Sequence, residues 1–158
     1  AISGGGRAGL RARYRGRRGP PESYRVGVKY EILLAHRLLR MGFFVVRSPA
    51  SGRGCKRLFY PDLVAIKSGN IYLVEVRYRG DDRHILLDAK KYAKYIHAAR
   101  ITGGKPVLCV FYADIGDFRC LDMRDYDNKT ENNYIYYREK FYVKGRPPED
   151  FFEIQILK

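Results

Sequence analysis

The chain has 158 residues, 46% of them hydrophobic, which suits one globular domain with a real core and excludes a wholly disordered chain. No apolar run is long enough to span a bilayer and no signal peptide opens the chain, so a soluble, cytoplasmic protein is expected. The net charge of +14, from 31 Lys and Arg against 17 Asp and Glu, points to a polyanionic partner, above all nucleic acid.

Residues 1–25 hold seven arginines and one acid, are rich in Gly, show no core pattern and contain Pro20-Pro21. This reads as a basic arm able to follow a phosphate backbone, with residues 26–158 as the folded domain. Its "GGGRAG" lacks the Lys-Ser/Thr ending of a phosphate-binding P-loop. From residue 26 to 41 the pattern is helical, with Val28, Ile32, Ala35 and Leu39 on one expected buried face. Glu31 falls inside that arc, where an acid is costly to bury without a partner, a metal or water. A strand follows at 43–48, then the basic loop "PASGRGCKRLF".

An apolar hairpin is expected at 60–67 and 71–78, turning through Ser68-Gly69-Asn70. A second helix is expected over 85–102, with Leu86, Ala89, Ala93, Ile96 and Ala99 inward and Gly103-Gly104 as its stop. "KPVLCVFYAD" reads as a strand buried on both faces. "FRCLDM" and "YIYYREKFYV" read as shorter strands around a polar excursion at 124–133, and "PPEDFFEIQILK" as a short helix opened by proline, with a strand as the alternative. The order helix, three strands, helix, strands predicts an α/β domain with a mixed central sheet flanked by helices.

Cys55, Cys109 and Cys120 fit neither a zinc site nor a disulfide framework. Cys109 and Cys120 are expected as small core residues, and Cys55 as exposed in its Gly-rich loop. His36, His84 and His97 share no spacing that suggests ligands. Lys90, Lys91 and Lys94 read as a solvated helix face, with DNA contact as the second reading. Tyr134, Tyr136, Tyr137 and Tyr142 are expected to pack a sheet or an interface rather than to stack on bases.

The hairpin raises a chemical question. Asp62 follows a proline, and Glu75 lies deep in an apolar run. With Ser68-Gly69 as a two-residue loop, Asp62 lies directly opposite Glu75. With Gly69-Asn70 the pairing shifts by two and the acids still share a face, and only an odd-numbered loop separates them. Facing carboxylates repel, and a hard divalent cation between them reverses that sign. Arg77, two residues beyond Glu75, projects to the same face. Two metal ligands, a flanking cation and a helix-borne acid would serve phosphodiester hydrolysis. The plainer alternative is an ordinary Glu75–Arg77 ion pair with Asp62 as a turn residue.

"VGVKYEILLAHRLLRMGFFVVRSPASG" followed by "PDLVAIKSGNIYLVEVR" resembles the archaeal Holliday-junction resolvases, Hjc-type enzymes of the PD-(D/E)XK nuclease superfamily. The likeness is clear over residues 24–105 and weak beyond. It implies a restriction-endonuclease-like core and a DNA-associated homodimer that recognises four-way junctions by shape and nicks them symmetrically with Mg²⁺, for which Mn²⁺ would substitute. Asp62 and Glu75 look like the metal ligands, and Glu31 resembles the helix acid that completes the site. Ser51 falls where the family has a catalytic serine on a loop that closes onto DNA, and Arg53, Lys56 and Arg57 extend that loop as phosphate contacts. Arg25, Lys29, Arg47 and Arg79 are the further basic residues expected at DNA. Contact with a sliding clamp or a recombinase is implied by family analogy alone. Arg77 departs from the pattern, because the superfamily has lysine there and arginine does not give up its proton. Arg77 then either serves as electrostatic stabiliser or marks a chain that binds junctions and cuts poorly, and a nuclease of the same superfamily with another DNA target is the further alternative.

Overall fold

A computed structural model describes residues 21–48, 58–59 and 61–157. The basic arm up to residue 20, Ser51, Arg53, Cys55, Lys56 and Arg57 lie outside the described residues. The elements run α1 (Glu22–Arg40), β1 (Phe44–Arg47), β2 (Leu63–Lys67), β3 (Asn70–Arg79), β4 (Ile85–Asp88), α2 (Ala89–Thr102), β5 (Lys105–Tyr112), β6 (Asp117–Asp122), β7 (Asn128–Lys129), β8 (Asn133–Tyr136), α3 (Arg138–Val143) and α4 (Pro148–Leu157).

β1-β2-β3-β5-β6 form one sheet, in which β3 and β5 are parallel and the other neighbours antiparallel. The parallel pair needs a crossover, which β4 and α2 supply. β4, β8 and β7 make a second, three-stranded sheet. Side chains alternate across the main sheet and feed two cores. Tyr72, Val74 and Val76 of β3 join Leu34 and Leu38 of α1 and Phe151 and Phe152 of α4. Leu73, with Leu108 and Val110 of β5, joins Tyr95 and Ala99 of α2. β5 is therefore apolar on both faces, as its sequence predicts.

The turn between β2 and β3 is the two-residue loop Ser68-Gly69, since Lys67 pairs with Asn70. Both loop residues have positive φ, 51° and 78°, which matches the right-handed twist of the flanking strands and suits Gly69.

Several expectations are corrected. α1 begins at Glu22, four residues before its apolar pattern, and its fully buried stripe is Leu34 and Leu38, whereas Ile32 and Leu39 are exposed. The segment 85–102 is not one helix. Ile85–Asp88 is a strand, with Ile85 and Leu87 buried and Leu86 exposed, paired with Asn133–Tyr136. The helix starts only at Ala89, where Asp88 caps it by accepting from the Lys90 and Lys91 N–H groups. Its buried residues are Tyr95 and Ala99, while Ala93 is exposed. The strand expected across "YIYYREKFYV" stops at Tyr136 and gives way to α3. Cys109 and Cys120 are both core residues, as expected, but they also face one another across β5 and β6 and are joined by a disulfide. Their separation of 11 residues carries no disulfide signature in sequence, because strand pairing alone brings them together.

Candidate functional site

Register places the first carboxylate. Leu63 pairs with Val74, so Asp62, one residue before β2, lies across from Glu75. Asp62 Oδ2 accepts from the Val76 N–H at 2.8 Å, which ties the acid to the opposite strand. Glu75 is the buried polar residue of the sheet, 2% exposed among the described residues, on the face covered by α2.

That helix and the strand itself supply the partners of Glu75. The Tyr95 hydroxyl donates to Glu75 Oε1 at 2.9 Å and accepts from the Asp62 N–H at 3.3 Å. The Val74 carbonyl lies 3.2 Å from the same hydroxyl as an alternative acceptor. Arg77 Nε and Lys91 Nζ each donate to Glu75 Oε2 at 3.0 Å. Arg77 Nη1 also donates to the Leu86 carbonyl at 3.3 Å. Phe59 stands edge-on to Tyr95, with ring centroids 4.7 Å apart.

The two carboxyls are pushed in opposite directions. Asp62 is raised to about 8, first by burial and then by the charge of Glu75. Burial also raises Glu75, but the Arg77 and Lys91 charges outweigh it and hold that carboxyl below its ordinary range. Glu31 is raised by burial, against the lowering effect of Arg47. Arg47 Nη1 donates to Glu31 Oε2 at 3.1 Å. In the metal-free site, then, Glu75 carries the charge and Asp62 keeps a proton.

The donor set fits a hard divalent cation. Both acids offer carboxylate oxygens, and the proton kept on Asp62 marks where a positive charge is needed. No cluster of three His, Cys, Asp or Glu side chains close enough to share one ion occurs among the described residues. The Glu75 charge also raises Glu31, which places the helix acid within electrostatic reach of the strand acid. Mg²⁺ is commonly held by one or two carboxylates, the rest of its shell being water and substrate phosphate.

Of the other basic residues, Arg25 and Lys29 are exposed on α1, with Lys29 over the Tyr30 ring at 5.4 Å. Arg79 Nη2 donates to the His84 carbonyl at 3.2 Å, and Arg79 therefore braces a loop. Tyr136 is fully buried and Tyr134 stacks on Tyr92 at 3.6 Å, in keeping with packing roles. Tyr95 and Lys91 are the site residues that sequence reasoning missed. Asp88 as a helix cap, three residues before Lys91, is the signal that would have placed α2 correctly.

A mixed sheet flanked by helices, with a facing carboxylate pair on its central hairpin, has the architecture of restriction-endonuclease-like nucleases. The structure of Archaeoglobus fulgidus Hjc, a Holliday junction resolvase from an archaeal hyperthermophile, shares this fold: TM-score 0.69, 21% identity, 79% of this chain and 98% of that one covered. The family model described as archaeal Holliday junction resolvase (Hjc) matches residues 22–155, and the chain belongs to that family. The crossover junction endodeoxyribonuclease Hjc of Sulfolobus acidocaldarius is 31% identical over 109 residues, 69% of this chain and 74% of that protein. That of Sulfurisphaera tokodaii is 36% identical over 84 residues, 53% of this chain. The match spans 58% of the length of the latter relative.

Proposed function

We propose that the protein is a structure-selective endonuclease that cuts four-way DNA junctions by Mg²⁺-dependent phosphodiester hydrolysis, placing paired symmetric nicks as a homodimer. The observation that carries this reading is the Asp62–Glu75 pair, two acids facing one another across the hairpin with Glu75 buried.

A bound divalent cation supplies Lewis acidity, lowering the pKa of water and neutralising charge that develops on the phosphate. The protein's own groups prepare that chemistry. Val76 N–H fixes Asp62, while Tyr95 and Arg77 fix Glu75, so neither carboxylate needs to reorganise. Glu31, held by Arg47, adds negative charge at the rim. Ser51, Arg53, Lys56 and Arg57 are assigned to the DNA-closing loop by family resemblance. Arg25 and Lys29, exposed on α1, suit phosphate contact, and the net charge of +14 favours a polyanion throughout.

Support for the homodimer is the apolar surface of α1 and β1, where Ile32, Leu33, Leu39, Phe44 and Val46 are exposed. The alternative, a junction-binding protein that cuts poorly, draws on Arg77, whose guanidinium is engaged by Glu75 and the Leu86 carbonyl.

The test is incubation with a labelled four-way junction and a matched duplex in Mg²⁺. Symmetric nicking of the junction alone, lost in Asp62→Ala and Glu75→Ala, is expected. Tight junction binding without nicking in Mg²⁺ or Mn²⁺ would establish the alternative.

A further inference from the structure

Arg77 stands where lysine follows the strand glutamate in the superfamily, yet the site does not lack a lysine. Lys91 reaches the same carboxylate oxygen as Arg77, at the same 3.0 Å, from a different element. The two cations are held differently. Arg77 is tethered at both ends, by Glu75 on its own strand and by the Leu86 carbonyl on β4. It serves as a brace between the two sheets.

Lys91 lies in the first turn of α2, where the Asp88 carboxylate accepts from its backbone N–H at 3.1 Å and sets its position. Its side chain is 41% exposed while Glu75 is 2% exposed, so the ammonium group approaches the acid from the solvent-facing side. Glu75 is its partner among the described residues, and an ammonium carries three rotatable donors. Lys91 also lowers Glu31 electrostatically, so its charge acts on the helix acid as well as on the strand acid.

We propose that Lys91 is the catalytic lysine of this site, supplying from α2 the mobile cationic donor that contacts the scissile phosphate, while Arg77 fixes Glu75. This rests on the nuclease reading above. No proton transfer by Lys91 is involved. Its role is to balance charge on the phosphate oxygens as water adds to phosphorus and a backbone P–O bond breaks.

The experiment compares wild type, Lys91→Gln, Lys94→Gln and Arg77→Lys/Lys91→Gln. Nicking of a four-way junction in Mg²⁺, junction affinity in EDTA and thermal midpoint are measured for each. Lys91→Gln is expected to lower the single-turnover nicking rate about 100-fold, with metal-free junction affinity within about twofold of wild type and a thermal midpoint lowered by the loss of one of the two cations on Glu75. Lys94→Gln, one turn further along the helix, is expected to cut normally. The double variant is expected to recover about tenfold over Lys91→Gln, because a lysine returns to the strand position.

Acylation of Lys91 by an N-hydroxysuccinimide ester in EDTA, read by peptide mass spectrometry, is expected to be suppressed by bound junction. Nicking by Lys91→Gln within about threefold of wild type overturns the proposal, as does a rate loss matched by an equal loss of junction affinity. Acylation indifferent to bound junction, or a double variant no faster than Lys91→Gln, overturns it too. A wild type that nicks nothing overturns the cleavage reading and this inference together, whereas the preceding outcomes remove Lys91 alone.

Discussion

The hydroxyl of Tyr95 donates to Glu75 at 2.9 Å from a helix twenty positions further along the chain. The same oxygen accepts from the Asp62 N–H, so one phenol holds the backbone of one acid and the side chain of the other. Tyr95→Phe keeps the ring against Phe59 and removes only that link. It is expected to destabilise the fold by about 1–3 kcal/mol in urea unfolding, because buried groups lose a partner. Nicking should fall about 10- to 100-fold, as for other groups that orient a ligand. Unchanged stability and rate would show the hydroxyl to be incidental.

Asp62 offers a separation of stability from activity. Asp62→Asn removes an acid that burial and Glu75 both disfavour as an anion. Metal-free Asp62→Asn is expected to melt higher than wild type at pH 8 while its nicking is abolished, the trade-off of a strained functional site. Calorimetry in EDTA and a junction assay in Mg²⁺ check the two halves. A lower melting point at pH 8 would contradict the repulsion argument.

The pH dependence has a definite sign. The folded Asp62 titrates near 8, against an ordinary value of 3.8, so the folded state holds a proton that the unfolded chain has released. Stability from this group is present below the ordinary value and is lost as pH rises towards 8. Glu31, also raised, acts in the same direction. Glu75, lowered, acts the other way, with its contribution lost only as the solution becomes acid. The metal-free protein is therefore expected to melt progressively lower between pH 5.5 and 8. Mg²⁺, replacing the proton, should raise the melting point more at the upper end of that window than at the lower. An equal Mg²⁺ effect at both ends would count against metal binding by this pair.

Away from the site, Arg37 joins three elements. Its guanidinium donates from Nε to Glu149 of α4 at 2.9 Å and from Nη1 to Asp117 of β6. Arg37→Ala leaves both acids without this partner and is expected to cost about 2 kcal/mol in chemical denaturation. The loss should shrink in the double variant with Glu149→Gln. Strict additivity of the two changes would show that they do not interact.

What the sequence disclosed depended on distance along the chain. The Asp62–Glu75 pairing was legible because period-two alternation and a two-residue turn determine it within one hairpin. Glu31 was legible as an acid on a helix face that had to be buried, although its stripe is centred on Leu34 and Leu38 and not on Ile32 and Leu39. Tyr95 and Lys91 were not legible, because Ile85–Asp88 was absorbed into the helix. That strand exists only through pairing with Asn133–Tyr136, nearly fifty residues away, and four residues are too few to show alternation clearly. The Cys109–Cys120 bridge was hidden for the same reason, since its geometry belongs to the sheet.

The Ser68-Gly69 turn has a bearing on how this lineage can change. Surface turns ordinarily absorb insertions and deletions freely. A residue added inside this loop leaves Lys67 opposite Asn70 and both acids where they are. A residue added within either strand, between the turn and an acid, would instead carry that acid to the opposite side of the sheet. The turn is thus the part of the hairpin whose length is free, and the strand segments 63–67 and 70–74 are the part whose length the acids fix.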